Sequence, residues 1–500
     1  MLFENPTIKE ILKYYRVIWA LGHARGLMGW DSETYMPRMG VEERSIAAAE
    51  IAVLSQKLLL EPKFVELVEK ASSMEGLNEY ERGVVRVLER AIRIFKKLPP
   101  SLVAEKAATS QKAKAVWREA KEKNDFEMFK PYLAKLVELN RQTAEHLGYE
   151  DHPYDALLDL YEEGLRTREM ERIYDAIIPA SRRVLERVLE EGYYPRHHPL
   201  EEEHYDAKAL EEVNRRVLDL LGYPWDRGRL DVSAHPFTSG IGIRDVRITT
   251  RYEGFDFKRS LLAVIHEYGH ALYNLQVDER FIATPLAGGA SMGVHESQSR
   301  FWENMIGRTR VFVETLYPLL REKLPFLEKY GAEEVYRYFN TVRPSLIRVE
   351  ADEVTYNFHT LLRFELEKQL ITGEIKVDDV PELWADTLDK FLGVRPRSHA
   401  EGVLQDIHWS MGAMGYFPTY TLGNVIAAQV RAYILRDMPN LEELVRNAEF
   451  KPVQEWLREK IHRWGSMYPP QELLERKLGE PVNPEYFAKY LVEKYVDKRI

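Results

Sequence analysis

The chain has 500 residues, 45% hydrophobic and 30% charged, and its 70 Lys+Arg against 80 Asp+Glu leave a formal net charge of −10. That balance describes a globular body and excludes a disordered chain or a basic nucleic-acid footprint. No cysteine is present, which excludes disulfides, thiol nucleophiles and Cys-ligated zinc or iron–sulfur sites, so any metal must rest on His, Asp and Glu.

The N-terminal "MLFENPTIKE" has neither a basic n-region nor an apolar h-region, so no secretory signal is expected. Apolar runs such as "LLAVI" reach about five residues, far short of the roughly 20 that span a bilayer. The expected location is the cytoplasm, with no membrane and no nucleic-acid partner. A charged fraction above the usual ~25% together with no cysteine leans towards a thermophilic source.

Most of the chain reads as helix. "EMFKPYLAKLVELNRQTAEHLG" (127–148) and "REMERIYDAIIPASRRVLERVLEEG" (168–192) carry apolar residues at three- and four-residue spacing. Gly and Pro punctuate the joins, as in "KLPPS" (97–101) and "LGYPWDRG" (221–228). No repeat, low-complexity tract or long linker interrupts residues 1–500. The expectation is therefore one continuous, mainly α body, with two helical lobes as its variant.

In "GIGIRDVRITTRY" (240–252), Val246, Ile248, Thr250 and Tyr252 alternate with Asp245, Arg247, Thr249 and Arg251. Period-two alternation rich in β-branched residues predicts a strand. One side would be buried, with Asp245, Arg247 and Thr249 on the other, as in a charged edge strand.

Next comes "FKRSLLAVIHEYGHALYNLQ" (257–276), a helix with Asp256 available as its N-cap. His266 and His270, four apart, share one face and can both reach a zinc ion at about 2.0–2.1 Å. Glu267 lies beside them, placed to act as general base. With 14 His and 80 Asp+Glu in the chain, chance supplies only about 0.06 matches to H-[DE]-x-x-H.

A third ligand is still needed. Asp278 lies too far along the same axis, but "ATPLAGGASMG" (283–293) can reverse the chain into the helical "VHESQSRFWENMIG" (294–307). At 1.5 Å per residue Glu296 returns level with the histidines, whereas Glu303 overshoots by about 10 Å. His266, His270 and Glu296 form a His₂Glu set with an open position, a catalytic zinc arrangement; Co²⁺ or Mn²⁺ suits the same donors. Zinc lowers the pKa of its water, and Glu267 takes the proton and passes it to the leaving amine. The expected reaction is peptide-bond hydrolysis without a covalent intermediate.

The "HEYGH" (266–270) and "HESQ" (295–298) pair, with "WDSETYMP" (30–37), "HPF" (235–237), "DVRIT" (245–249), "IRVEAD" (347–352) and "GVLQDIHW" (402–409), resembles the carboxypeptidase Taq family of thermostable zinc carboxypeptidases. The likeness runs from about residue 30 to beyond 420. It implies a mainly helical fold with a long substrate groove and a small sheet, similar to neurolysin and angiotensin-converting enzyme. It also implies metal-dependent release of C-terminal residues with broad specificity, peptide substrates with a free C-terminus, and a homodimer. Thermolysin-type sequences place an Asp four residues after the Glu ligand, where this chain has Arg300, so the groups that orient the ligand histidines must come from elsewhere.

A terminal carboxylate calls for a bidentate arginine. Arg348 is the first candidate and Arg247 the second, each against a structural ion pair, with Asp352 and Asp245 respectively. Through the resemblance His408 becomes a donor to the substrate or oxyanion, and His235 a histidine at a motif position whose role stays open. "MGYFPTYTLGN" (414–424) offers Tyr416 and Tyr420 as the oxyanion donor, of which Tyr420 is favoured. Trp30, Asp31 and Trp409 are expected to be scaffold. The rival readings are an oligoendopeptidase or dipeptidyl carboxypeptidase on the same scaffold, and a binding protein that keeps zinc without turnover. Glu267 speaks against the last, because a structural site needs no base.

Overall fold

A computed structural model describes residues 2–500 of the chain. It is mainly helical, with one three-stranded sheet. Two compact units emerge, each discontinuous in sequence: one takes the stretches up to Lys96, Pro199–Phe339 and Val430–Val482, the other Lys97–His198, Asn340–Gln429 and Asn483–Ile500. The helices expected at 127–148 and 168–192 appear as Phe126–Leu147 and Thr167–Glu191. Among the described residues, no helix is long and apolar enough to cross a membrane.

The first unit holds the sheet: β1 (Gly228–Val232), β2 (Thr238–Gly242) and β3 (Asp245–Thr250), in the order β1-β3-β2. β3 pairs parallel with β1 and antiparallel with β2. Two expectations are corrected here. Residues 240–252 are not one strand, because the chain turns at Ile243–Arg244 and Gly240–Gly242 belong to β2. Nor is β3 an edge: it is the central strand, and Thr249, expected outward, is fully buried. Its hydroxyl accepts from Ser233 Oγ at 2.6 Å and from Phe237 N at 3.0 Å, so a short polar side chain finds its partners inside.

The HEYGH helix runs Lys258–Gln276. Asp256 does not cap it. That residue is left-handed (φ 52°), and its carboxylate is taken by Tyr338 Oη at 2.6 Å and Arg259 Nε at 2.9 Å. The N-cap is Phe257, without a side-chain bond. Leu261, Val264, Ile265, Tyr268, Ala271 and Leu272 are buried because β2, β3 and the helix Met292–Arg300 all pack against this one. Gly269 makes the last contact feasible, since a Cβ there would stand 2.4 Å from the Gln298 carbonyl oxygen. Ser291 caps the returning helix through Val294 N at 3.0 Å, and the chain then winds as a π-helix over Phe301–Gly307.

Trp30 and Asp31 of "WDSETYMP" make packing and ion-pair contacts. Arg247 and Arg229 lie 4.3 Å and 5.1 Å over the Trp30 ring, and Arg44 pairs with Asp31 at 2.6 Å. These contacts tie the end of the helix Pro6–Thr34 to the sheet. In the second unit, Lys494 pairs with Glu353 in full burial, and Tyr490 and Tyr495 donate to the same carboxylate.

Candidate metal centre

His266 Nε2 stands 3.7 Å and His270 Nε2 3.3 Å from Glu296 Oε2, and the three ligand atoms lie within 4.8 Å of one another. Two ligands about 2.1 Å from a tetrahedral zinc are roughly 3.4 Å apart, so the two His–Glu separations suit a shared divalent metal. The other ring nitrogens are already engaged. His266 Nδ1 contacts Glu303 Oε2 at 2.9 Å, and His270 Nδ1 contacts His295 Nδ1 at 2.7 Å. Both Nε2 lone pairs are thereby turned towards Glu296.

The electrostatics match a cation site. Burial alone would raise the Glu296 carboxyl, but Arg300, His266 and His270 hold it well below the usual carboxylate range. Glu303 is likewise kept ionised against burial by Arg308, His266 and Arg300. His266 is pushed down by burial and pushed up harder by Glu296 and Glu303, ending above its ordinary value. Arg300, the departure from the thermolysin pattern, bonds Glu296 Oε1 at 2.7 Å and so occupies the oxygen that does not face the histidines.

Sequence reasoning missed four residues here. Glu303 does lie beyond the ligand position, but its side chain reaches His266 and it is clamped by Arg308 Nη2 at 2.8 Å. Thr238, on β2, donates to Glu267 Oε2 at 2.6 Å and to the Glu267 carbonyl at 3.0 Å. His295 and Asn274 form a chain behind His270, with His295 Nε2 at 3.2 Å from Asn274 Oδ1. His295 carried a sequence signal as the first letter of "HESQ" and Glu303 was weighed only as a ligand, whereas Thr238 and Asn274 carried none.

In the second unit, "IRVEAD" and "GVLQDIHW" meet. Arg348, 5% exposed, points Nη2 and Nε at Asp406 Oδ1 (2.8 Å and 3.1 Å) and Nη1 at Tyr356 Oη (2.7 Å). Arg363 holds the other oxygen of Asp406 from Nε at 2.7 Å. The alternative pairing of Arg348 with Asp352 is not formed. Asp352 instead accepts from the backbone of Arg343, Val354 and Thr355. The Arg247–Asp245 pair does form, at 2.8 Å through both Nε and Nη2.

His408 Nε2 lies 3.1 Å from Tyr420 Oη, and its buried Nδ1 has no partner. Burial and then Arg348 push His408 down to about 3, so its ring is neutral. Arg348 sits 4.9 Å over the Tyr420 ring, and the Tyr416 and Tyr420 rings are 5.4 Å apart. Trp409 donates to Glu367 at 2.7 Å and is scaffold. His235, in the first unit, is exposed. The predicted residues thus gather as His266, Glu267, His270 and Glu296 in one unit, and as Arg348, His408, Tyr416 and Tyr420 in the other.

The sequence of residues 10–495 matches the family whose description is carboxypeptidase Taq (M32) metallopeptidase. It is 57% identical to thermostable carboxypeptidase 1 of Pyrococcus furiosus, over 99% of each chain. The fold superposes on a Pyrococcus furiosus carboxypeptidase structure in an apo-Mg state with a TM-score of 0.98 at 56% identity, covering 99% of this chain and 100% of that one. It superposes on an M32 carboxypeptidase from Deinococcus radiodurans with a TM-score of 0.95 at 33% identity, covering 99% of both. None of these matches favours the endopeptidase or dipeptidyl readings.

Proposed function

The chain belongs to the carboxypeptidase Taq (M32) metallopeptidase family, and on that premise we propose that it releases single C-terminal amino acids from peptides at the centre made by His266, His270 and Glu296. The convergence of those three ligand atoms beside Glu267 carries the proposal. The family is one of metallopeptidases and so requires a divalent metal; zinc is the metal we assign, because a His₂Glu set of two half-buried histidines and a buried glutamate, with a carboxylate adjacent in sequence, suits it. When bound, zinc acidifies water and polarises a carbonyl.

The side chains supply the rest. Glu267, held by the Thr238 hydroxyl, accepts a proton from the attacking water and delivers it to the departing amine. Tyr420 and the neutral His408 are assigned as donors to the developing oxyanion, with Tyr416 as the alternative tyrosine. Arg348 is assigned to the substrate's terminal carboxylate. A guanidinium has five N–H donors, and Arg348 commits three to Asp406 and Tyr356. Arg247 stays the second candidate and His235 a substrate contact. Residues 1–500 would then act as one peptidase unit. A cytoplasmic homodimer completes the proposal, supported by the exposed apolar residues Ile46, Val53 and Leu54 on the helix Val41–Leu59; sedimentation tests it.

The decisive measurement is digestion of peptides followed by mass spectrometry, with and without chelator, and with Glu267→Gln. Stepwise loss of single C-terminal residues, absent with chelator, with the variant and on C-terminally amidated peptides, is the expected result. Internal cleavage of amidated peptides would overturn the carboxypeptidase assignment of Arg348.

A further inference from the structure

The two ligand histidines are backed by different chemistry. His266 leans on a carboxylate, Glu303. His270 leans on a second imidazole, His295, which leans in turn on the amide of Asn274. Metal-binding histidines ordinarily give their second N–H to a carboxylate, a carbonyl or water, so the imidazole in that place calls for an account.

Proton bookkeeping along the chain has one solution. If His270 presents the lone pair of Nε2 towards Glu296, its single proton resides on Nδ1. That N–H donates across 2.7 Å to His295 Nδ1, which must therefore be bare. The proton of His295 then resides on Nε2 and donates across 3.2 Å to Asn274 Oδ1. Each group has one role, and no group is asked to donate to a donor. Packing holds the ring in place for this exchange: its centroid is 4.8 Å from the His270 ring and 5.0 Å from the Tyr273 ring, tilted 39° and 48° to them. A Cβ on Gly289 would stand 3.1 Å from His295 Cδ2, so the loop also presses on it.

We propose that His295 is a positioning residue of the metal centre, which fixes the tautomer and orientation of His270 by accepting its Nδ1 proton, and that Asn274 fixes His295 in the same way. The residue next to the third ligand in sequence thus orients the second ligand. Its anchor lies one turn beyond His270 on the HEYGH helix. An uncharged acceptor supports His270 without adding a negative charge to the carboxylates of Glu267, Glu296 and Glu303 already at the site.

The inference rests on the metal centre proposed above, and the test separates the two. Zinc affinity of the full-length protein is measured by competition with a chromophoric chelator, alongside circular dichroism of the metal-free form. His295→Leu is expected to weaken zinc about 10- to 100-fold, and His295→Asn, whose amide oxygen takes the place of Nδ1, to recover most of that loss. A merely structural role for the ring would lower the metal-free melting temperature and leave affinity in place. His295→Leu binding zinc within twofold of the parent would overturn the proposal, as would His295→Asn binding as weakly as His295→Leu. If His295→Leu does not fold, Asn274→Ala decides: a loss of about three- to tenfold supports the relay, and unchanged affinity overturns it. Glu296→Ala is the control on the centre itself. Retention of parental affinity in that variant would overturn the metal assignment, and the role of His295 with it.

Discussion

At the scale of single residues, Glu267, the proposed general base, is held by a neighbour that no motif names. The carboxylate of Glu267 has its Oε2 held by Thr238 from the adjacent strand, which restricts the rotation of the carboxylate as a whole. Thr238→Val keeps the shape and removes the hydroxyl. Its expected effect is a fall in kcat of about tenfold with KM little changed, because the orientation of a catalytic group is lost rather than substrate binding; Thr238→Ser should restore the rate. An equal rise in KM at constant kcat would instead make Thr238 a binding residue. The cluster of His266, His270 and Glu296 was legible in the sequence because helical rise and a Pro/Gly reversal suffice to bring Glu296 level with the two histidines. Thr238 was not, because its approach to Glu267 depends on how the sheet lies against the helix. Glu303 was half legible. Counting residues excluded it as a ligand, but its contact with His266 comes on a π-wound segment that rise per residue does not describe.

Among elements, the clearest case is the meeting of "IRVEAD" and "GVLQDIHW" through one carboxylate. Asp406 sits between two buried guanidinium groups, Arg348 and Arg363, which hold it far below the usual carboxylate range against the opposing effect of burial. Asp406→Asn leaves two buried cations uncompensated, and the expected cost is about 3–5 kcal/mol in unfolding free energy, measured by denaturant titration. A second carboxyl in the same unit behaves oppositely. Glu367 accepts from Tyr154 Oη, Trp409 Nε1 and Gly415 N, yet burial pushes it up to about 7. A carboxyl raised on folding binds its proton more tightly in the native state, so its contribution is fully present below its ordinary value of about 4.5 and is lost as pH climbs towards 7. Melting temperature should therefore fall between pH 5 and pH 8 more steeply in the parent than in Glu367→Gln; parallel profiles would show that Glu367 titrates normally. The sheet shows where element-level reading stopped. Alternation in "DVRIT" located β3, but a pattern of period two does not say how many neighbours a strand has, nor that Ser233 and Phe237 close on the Thr249 hydroxyl and bury it.

For the molecule as a whole, the helical class was legible and two lobes stood as the variant of a single body, whereas which stretches of chain make up each unit was not legible. Each unit draws on three separate stretches of chain, and composition has no signature for a boundary crossed that often. A metal held by His266, His270 and Glu296 would act within one of these units, joining the helix Lys258–Gln276 to the helix Met292–Arg300, which already meet through close packing at Gly269 and the His270–His295 contact. A ligand that binds only the native form stabilises it by an amount set by its concentration relative to Kd, about 4 kcal/mol at a thousandfold excess. Chelation should accordingly lower the melting temperature by several degrees and restoration of zinc should return it, with the gain growing logarithmically in free metal. Glu303→Gln sharpens the expectation: with the carboxylate behind His266 neutralised, the same zinc concentration should raise the melting temperature less than in the parent, while the metal-free value also falls because Arg308 loses its ionic partner. Calorimetry over a zinc titration reads both terms. A chelator-insensitive melting temperature in active protein would mean that the two helices gain nothing from the ion, and that the site is fully preorganised by the glycine contact and the Arg300–Glu296 bond.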